Sequence, residues 1–76
     1  MKIEIYGTGC SKCKTLFENA QKALIELNIA SELIKVEDIN LITKAGVMFT
    51  PALSVDGEVK SAGKVLSVEE IKKIIA

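Results

Sequence analysis

The stretch Tyr6-Gly7-Thr8-Gly9-Cys10-Ser11-Lys12-Cys13 decides how this chain folds, because it joins two different periodicities and holds both cysteines. On its N-terminal side, Lys2-Ile3-Glu4-Ile5-Tyr6 alternates polar and apolar residues, as a half-buried strand does. On its C-terminal side the apolar positions are Leu16, Phe17, Ala20, Ala23, Leu24 and Leu27. Those steps of three and four predict an amphipathic helix running to about Asn28, with Cys13 on the buried stripe. Cys10 falls at or before the first turn, nearer solvent. Gly7 and Gly9 permit backbone angles closed to other residues and break the strand between the two periods. Two thiols at a strand–helix junction leave three readings open at this point: dithiol–disulfide chemistry, a metal site, or two inert buried thiols.

Downstream, Leu33-Ile34-Lys35-Val36 reads as a second strand. The roughly 25 residues separating it from the first suit a parallel, right-handed crossover. Asp38 is placed to cap a short helix, Ile39 to Ala45, that Gly46 stops. Val47-Met48-Phe49 leads into Thr50-Pro51, after which Ala52-Leu53-Ser54-Val55 alternates again. Asp56-Gly57 is a strong hairpin signal, with Glu58-Val59-Lys60-Ser61 as the return strand and Gly63 as its breaker. Ser67-Val68-Glu69-Glu70 is a capping box that opens a last helix, whose apolar face is Val68, Ile71, Ile74 and Ile75. The predicted order is β-α-β-α-β-β-α, an α/β class in one domain spanning residues 1–76.

Composition narrows the functions. Seventy-six residues allow one small core, and 49 % hydrophobic residues with zero net charge exclude disorder. Ten basic residues balance ten acidic ones without a basic block, which argues against a nucleic-acid surface. No apolar run reaches the ~20 residues of a membrane span, and the charged start makes a poor signal peptide, so a cytoplasmic location is expected. A Cys10–Cys13 bridge would close a tiny loop and stabilise little, so it is a poor staple.

Disulfide exchange needs a thiolate, and an ordinary cysteine is only a few per cent ionised near neutrality. Unpaired N–H groups and the positive end of the dipole at a helix N-terminus favour a Cys10 thiolate, and Lys12 and Lys14 add positive charge. Cys10 is therefore assigned as the attacking nucleophile and Cys13 as the resolving thiol.

The element order, with CxxC after the first strand and Thr50-Pro51 before the third, resembles the thioredoxin/glutaredoxin-like fold in its minimal form. The chain looks most like the small archaeal and bacterial thioredoxin-like redox-active disulfide proteins, which share the Tyr-Gly-Thr-Gly-Cys-x-x-Cys opening. The resemblance covers essentially the whole chain. It implies a four-stranded mixed sheet with the first strand central and helices on both faces. It also implies a protein disulfide oxidoreductase whose only redox group is the Cys10/Cys13 couple, with no cofactor and no metal. A cis Thr50-Pro51 bond would aim the Thr50 backbone at a substrate strand, and Gly63 falls where the family's substrate groove has a glycine. Glu4 stands six residues before Cys10, the offset of a buried acid that takes the resolving thiol's proton, and Lys35 is expected to face it from the neighbouring strand. The implied partners are disulfide-containing proteins and a thioredoxin-reductase-like electron donor, met by a monomer with no nucleic-acid or membrane partner.

Three residues depart from the usual pattern: no Trp precedes Cys10, and Ser11-Lys12 replaces Gly-Pro. The rival reading is a soft-metal CxxC module, holding Cu(I), or zinc or an iron–sulfur cluster shared between two copies. Copper chaperones follow a β-α-β-β-α-β order and carry Met where this chain has Thr8, and this chain ends on a predicted helix.

Overall fold

The computed structural model describes residues 1–9 and 11–75. Its elements follow the predicted order: β1 (Lys2–Tyr6), α1 (Ser11–Leu27), β2 (Glu32–Val36), α2 (Ile39–Lys44), β3 (Ala52–Val55), β4 (Glu58–Ala62) and α3 (Val68–Ile75). The sheet order is β2-β1-β3-β4, with β1 parallel to β2 and antiparallel to β3, and β3 antiparallel to β4. This is the four-stranded mixed sheet expected, with β1 inside it.

Alternation along β1 sends its residues to two different cores. Ile3 and Ile5 join Leu16, Ala20, Ala23 and Leu24 of α1, Leu53 of β3, and Ile71 and Ile75 of α3. Tyr6 points the other way and packs with Val36, Ile42, Val47 and Ala52 under α2. Helices α1 and α3 thus cover one face and α2 the other. Tyr6 is a packing residue. The second core is the smaller, because α2 has six residues and leaves Ile39 and Leu41 exposed.

The helix ends follow from particular side chains. Asn28 takes a left-handed conformation (φ 54°) that closes α1. The Asn40 amide donates to Asp38 Oδ1 at 2.8 Å, capping α2. At α3 the box closes both ways: Ser67 N–H donates to Glu70 Oε1 (3.1 Å), and Glu70 N–H to Ser67 Oγ (3.2 Å). The Ser67 N–H, helped by the Ser67 hydroxyl and by Lys64, holds the Glu70 carboxyl below its usual range. Lys72 ties α3 to α1 through Glu26 at 2.8 Å, and this bond, with a second to Glu69, raises the Lys72 ammonium above its ordinary value.

Asp56 and Gly57 both have positive φ (51° and 85°), the signature of a type I′ turn. Asp56 also docks the hairpin onto β1: its N–H donates to the Lys2 carbonyl, and its Oδ1 accepts from the Lys2 N–H, each at 2.8 Å. No helix among the described residues is long and apolar enough to cross a membrane.

Candidate active site

Of the predicted site residues, Lys12 and Cys13 stand in the first turn of α1, which follows the C-terminal end of β1. Cys13 lies in the first turn of α1, only 6 % exposed. Cys10 lies outside the described residues. Cys13 is pressed against Gly7: a Cβ placed on Gly7 would overlap Cys13 Sγ and stand 3.0 Å from Cys13 Cβ. The same Cβ would lie 4.0 Å from Thr50 Cβ, so the Thr50-Pro51 segment borders the same spot as the buried thiol. The sequence pattern assigns both loop glycines a conformational role. Only Gly9 has one, with φ 88°, whereas Gly7 is required by close approach.

The Thr50–Pro51 peptide bond is cis, with Thr50 exposed and Pro51 buried. Gly63 is linked to this segment, its N–H donating to the Pro51 carbonyl at 2.8 Å. Gly63 has φ 75°, and a Cβ there would meet Phe49 Cβ at 2.9 Å, so the Phe49 side chain lies against the glycine. Phe49 is nevertheless 67 % exposed and its neighbour Met48 86 %, which gives the cis-proline segment an apolar rim. The sequence pattern marks both only as a lead-in to Thr50-Pro51. Lys12 sits exposed in the first turn of α1.

The expected pairing of Glu4 with Lys35 is corrected by the register. In the parallel β1/β2 ladder Glu4 is opposite Ile34, and Lys35 is opposite Ile5. Glu4 therefore shares the α2 face with Ile34 and, across β3, with Ser54. Lys35 is on the α1 face, its Nζ 4.8 Å from the centroid of the Phe17 ring. Strand alternation separates the two by the thickness of the sheet. Glu4 is half-buried on the face away from Cys13, and Ile5 is the β1 residue beside that thiol.

Beside Cys13 is a cavity of about 290 Å³, lined by Ile5, Gly7, Gly9, Lys14, Lys35 and Glu37 as well as by Cys13 itself. Glu37, which sequence reasoning passed over, reaches the loop: a Cβ on Gly9 would lie 3.8 Å from its Oε2. Period-two alternation was the available signal, since it puts Glu37 on the side of Lys35.

An α/β domain with a central β1, a buried cysteine opening α1 and a cis-proline before β3 defines the thioredoxin-like class. A family model described as a thioredoxin domain matches residues 1–76. The chain is 50 % identical over 76 residues to a protein named thioredoxin from Methanothermobacter thermautotrophicus, covering all of this chain and 99 % of that one. It is 46 % identical over 71 residues to a thioredoxin from Methanocaldococcus jannaschii, covering 93 % of this chain and 81 % of the relative. The chain belongs to the thioredoxin family.

Proposed function

We propose that this protein is a thiol–disulfide oxidoreductase that reduces protein disulfides through a Cys10/Cys13 couple. The observation that supports it best is the seat of Cys13, buried against Gly7 and next to the cis-proline segment. A thiol so placed suits a resolving role, which leaves Cys10 as the attacking group. In the forward half, the Cys10 thiolate attacks a substrate disulfide, forms a mixed disulfide and releases one substrate sulfur as a thiolate. Cys13 then loses its proton and attacks Cys10 Sγ; the Cys10–Cys13 bond forms, and the second substrate sulfur leaves and is protonated. The two electrons given up by the couple are restored by a reductase acting on the oxidised protein.

Thr50 and Pro51 would hold the substrate as an extended segment, with the exposed Thr50 backbone adding main-chain hydrogen bonds in the manner of a sheet edge. The apolar rim of Met48 and Phe49 suits contact with a neutral chain whose net charge gives no steering. Lys12, exposed at the start of α1, supplies positive charge that favours a thiolate there. A reducing cytoplasm and a monomeric state fit this role, in which the protein carries electrons between a reductase and its substrates.

The test is reduction of an insulin disulfide with dithiothreitol as donor. Wild type is expected to turn over, and Cys10→Ser and Cys13→Ser are expected to lose turnover. Stoichiometric copper, zinc or iron in reduced protein that fails to reduce insulin would support the metal reading instead.

A further inference from the structure

Helix α1 extends past the sheet beneath it on the side of β2. Its core row runs from Cys13 to Leu24, but Phe17, Gln21 and Ile25, spaced by four, form a second row beside it. β2 is the last strand on this side of the sheet. An open groove of about 560 Å³ therefore lies along the second row, with Leu33 of β2 on its other wall and Ile29 at one end. Ile25 is 72 % exposed there.

The backbone of β2 is open on the same side. Glu32 N–H donates to the Met1 carbonyl at 3.2 Å, and Gly7 N–H to the Val36 carbonyl at 3.0 Å, so Glu32 and Val36 turn their main-chain groups toward β1. Two-residue alternation turns those of Leu33 and Lys35 outward, where no described residue pairs with them. The side chains of the same two residues are on the α1 face. A strand added about 4.8 Å beyond β2 would bond to Leu33 and Lys35 and send every second side chain under the Phe17–Ile25 row.

Charge narrows the occupant. Lys35 forms no ion pair among the described residues, and its ammonium stands over the Phe17 ring at the edge of the groove. Glu32, on the other face of β2, is in no ion pair among them either. Side chains directly opposite on neighbouring strands interact. An added strand is complementary when an acid faces Lys35, an apolar residue faces Leu33 and a base faces Glu32. A second copy of this chain fails that requirement. Two-fold pairing of β2 with itself keeps α1-face residues opposite α1-face residues, so the registers that cover the groove set Lys35 against Ser31, Leu33 or Lys35 of the copy. An axis at Val36 sets it against Glu37 but leaves the groove open.

We propose that the outer edge of β2, with the groove along α1, binds an extended segment of another protein that carries the order acid, any residue, apolar residue, base. The segment pairs antiparallel, the more stable ladder per residue. Main-chain bonds supply the docking, and the groove and the two charges select the segment. β2 ends beside Glu37, which reaches the Gly9 loop, so a partner held there stands next to the start of α1. Binding there does not depend on the dithiol reading.

The probe is the peptide acetyl-Thr-Glu-Val-Leu-Lys-Thr-amide, titrated to millimolar concentration into isotope-labelled, reduced protein and followed by amide NMR. Shifts are expected at Leu33, Lys35, Phe17 and Ile25, with slowed hydrogen exchange at the Leu33 and Lys35 amides. The charge-swapped peptide acetyl-Thr-Lys-Val-Leu-Glu-Thr-amide, of the same composition, should bind about fivefold or more weakly. Lys35→Glu should cancel that preference, and Ile25→Asp, at an exposed position, should weaken both peptides. Absence of shifts, equal affinity of the two peptides for wild type, or shifts confined to Met48 and Phe49 overturns the proposal. So does dimerisation in sedimentation that Ile25→Asp abolishes, which would give the edge to a second copy. Loss of insulin reduction, measured separately, would count against the dithiol function and not against this edge.

Discussion

Gly7→Ala is a substitution of one methyl group, and the structure predicts it to be costly. The new Cβ would overlap Cys13 Sγ and press on Cys13 Cβ at 3.0 Å. Neither side yields easily. The Gly7 N–H donates to the Val36 carbonyl at 3.0 Å, which extends the β1/β2 ladder and holds the backbone. Cys13 is in the first turn of α1, whose Leu16 and Ala20 are fully buried three and seven residues further on. Overpacking of this kind typically costs about 1–3 kcal/mol. In a domain of this size each kcal/mol moves the melting temperature by roughly 4–8 °C, so a fall of about 4–24 °C is expected. The assay is urea and thermal unfolding with all proteins held reduced, and a double-mutant cycle isolates the cause. Cys13→Ala removes the sulfur and leaves the milder Cβ contact, so Gly7→Ala in that background should cost less than half its penalty in wild type. A penalty below about 0.5 kcal/mol, within the range of ordinary surface substitutions, would refute the close approach. So would an equal penalty in both backgrounds.

Other outcomes follow from the same geometry. Gly63→Ala places a Cβ at 2.9 Å from Phe49 Cβ on a residue with φ 75°, and should lower the unfolding free energy measured in urea by more than the ~1 kcal/mol that a left-handed conformation alone costs. Pairing it with Phe49→Ala should recover part of the loss. Ser67→Ala should cost about 0.5–2 kcal/mol in chemical unfolding through loss of the α3 cap. Glu70, whose folded carboxyl lies below its unfolded value, contributes stability above the unfolded value that is lost as pH falls through the folded one. Glu70→Gln should therefore flatten the acid limb of a stability–pH curve. Lys72 has the opposite sign: its contribution is complete below the unfolded value and is lost as pH rises through the raised folded one, so Lys72→Met should flatten the alkaline limb.

Local periodicity carried most of the architecture into the sequence. Ile3 and Ile5 alternate with Glu4 because β1 has a core on each side, and the first face is the more apolar. The stripe from Cys13 to Leu24 is legible because α1 buries a single face, and Asp56-Gly57 because only such residues take two successive positive φ values readily. Cys13 was readable as buried for the same reason. Relations between elements were less legible. Whether Lys35 faces Glu4 or Ile5 depends on the register of β2 against β1, and a slip of one residue exchanges the faces. Gly7 reads like any loop glycine until α1 brings Cys13 onto it, and Glu37 reads as a solvated charge until the cavity places it beside Gly9. Phe49 and Gly63 are distant in sequence and meet only because β3 and β4 return the chain to the cis-proline segment.

The reading stands most directly on a trapping measurement. Cys13→Ser removes the proposed resolving thiol and leaves Cys10 as the one cysteine. Incubated with disulfide-containing proteins and examined by non-reducing electrophoresis and mass spectrometry, it is expected to accumulate mixed disulfides joined through Cys10 that dithiothreitol releases. Wild type should form few of them, because Cys13 resolves each one. If Cys13→Ser traps nothing while wild type still reduces insulin, or if the adducts form equally well in Cys10→Ser through Cys13, the assignment of the two cysteines is contradicted.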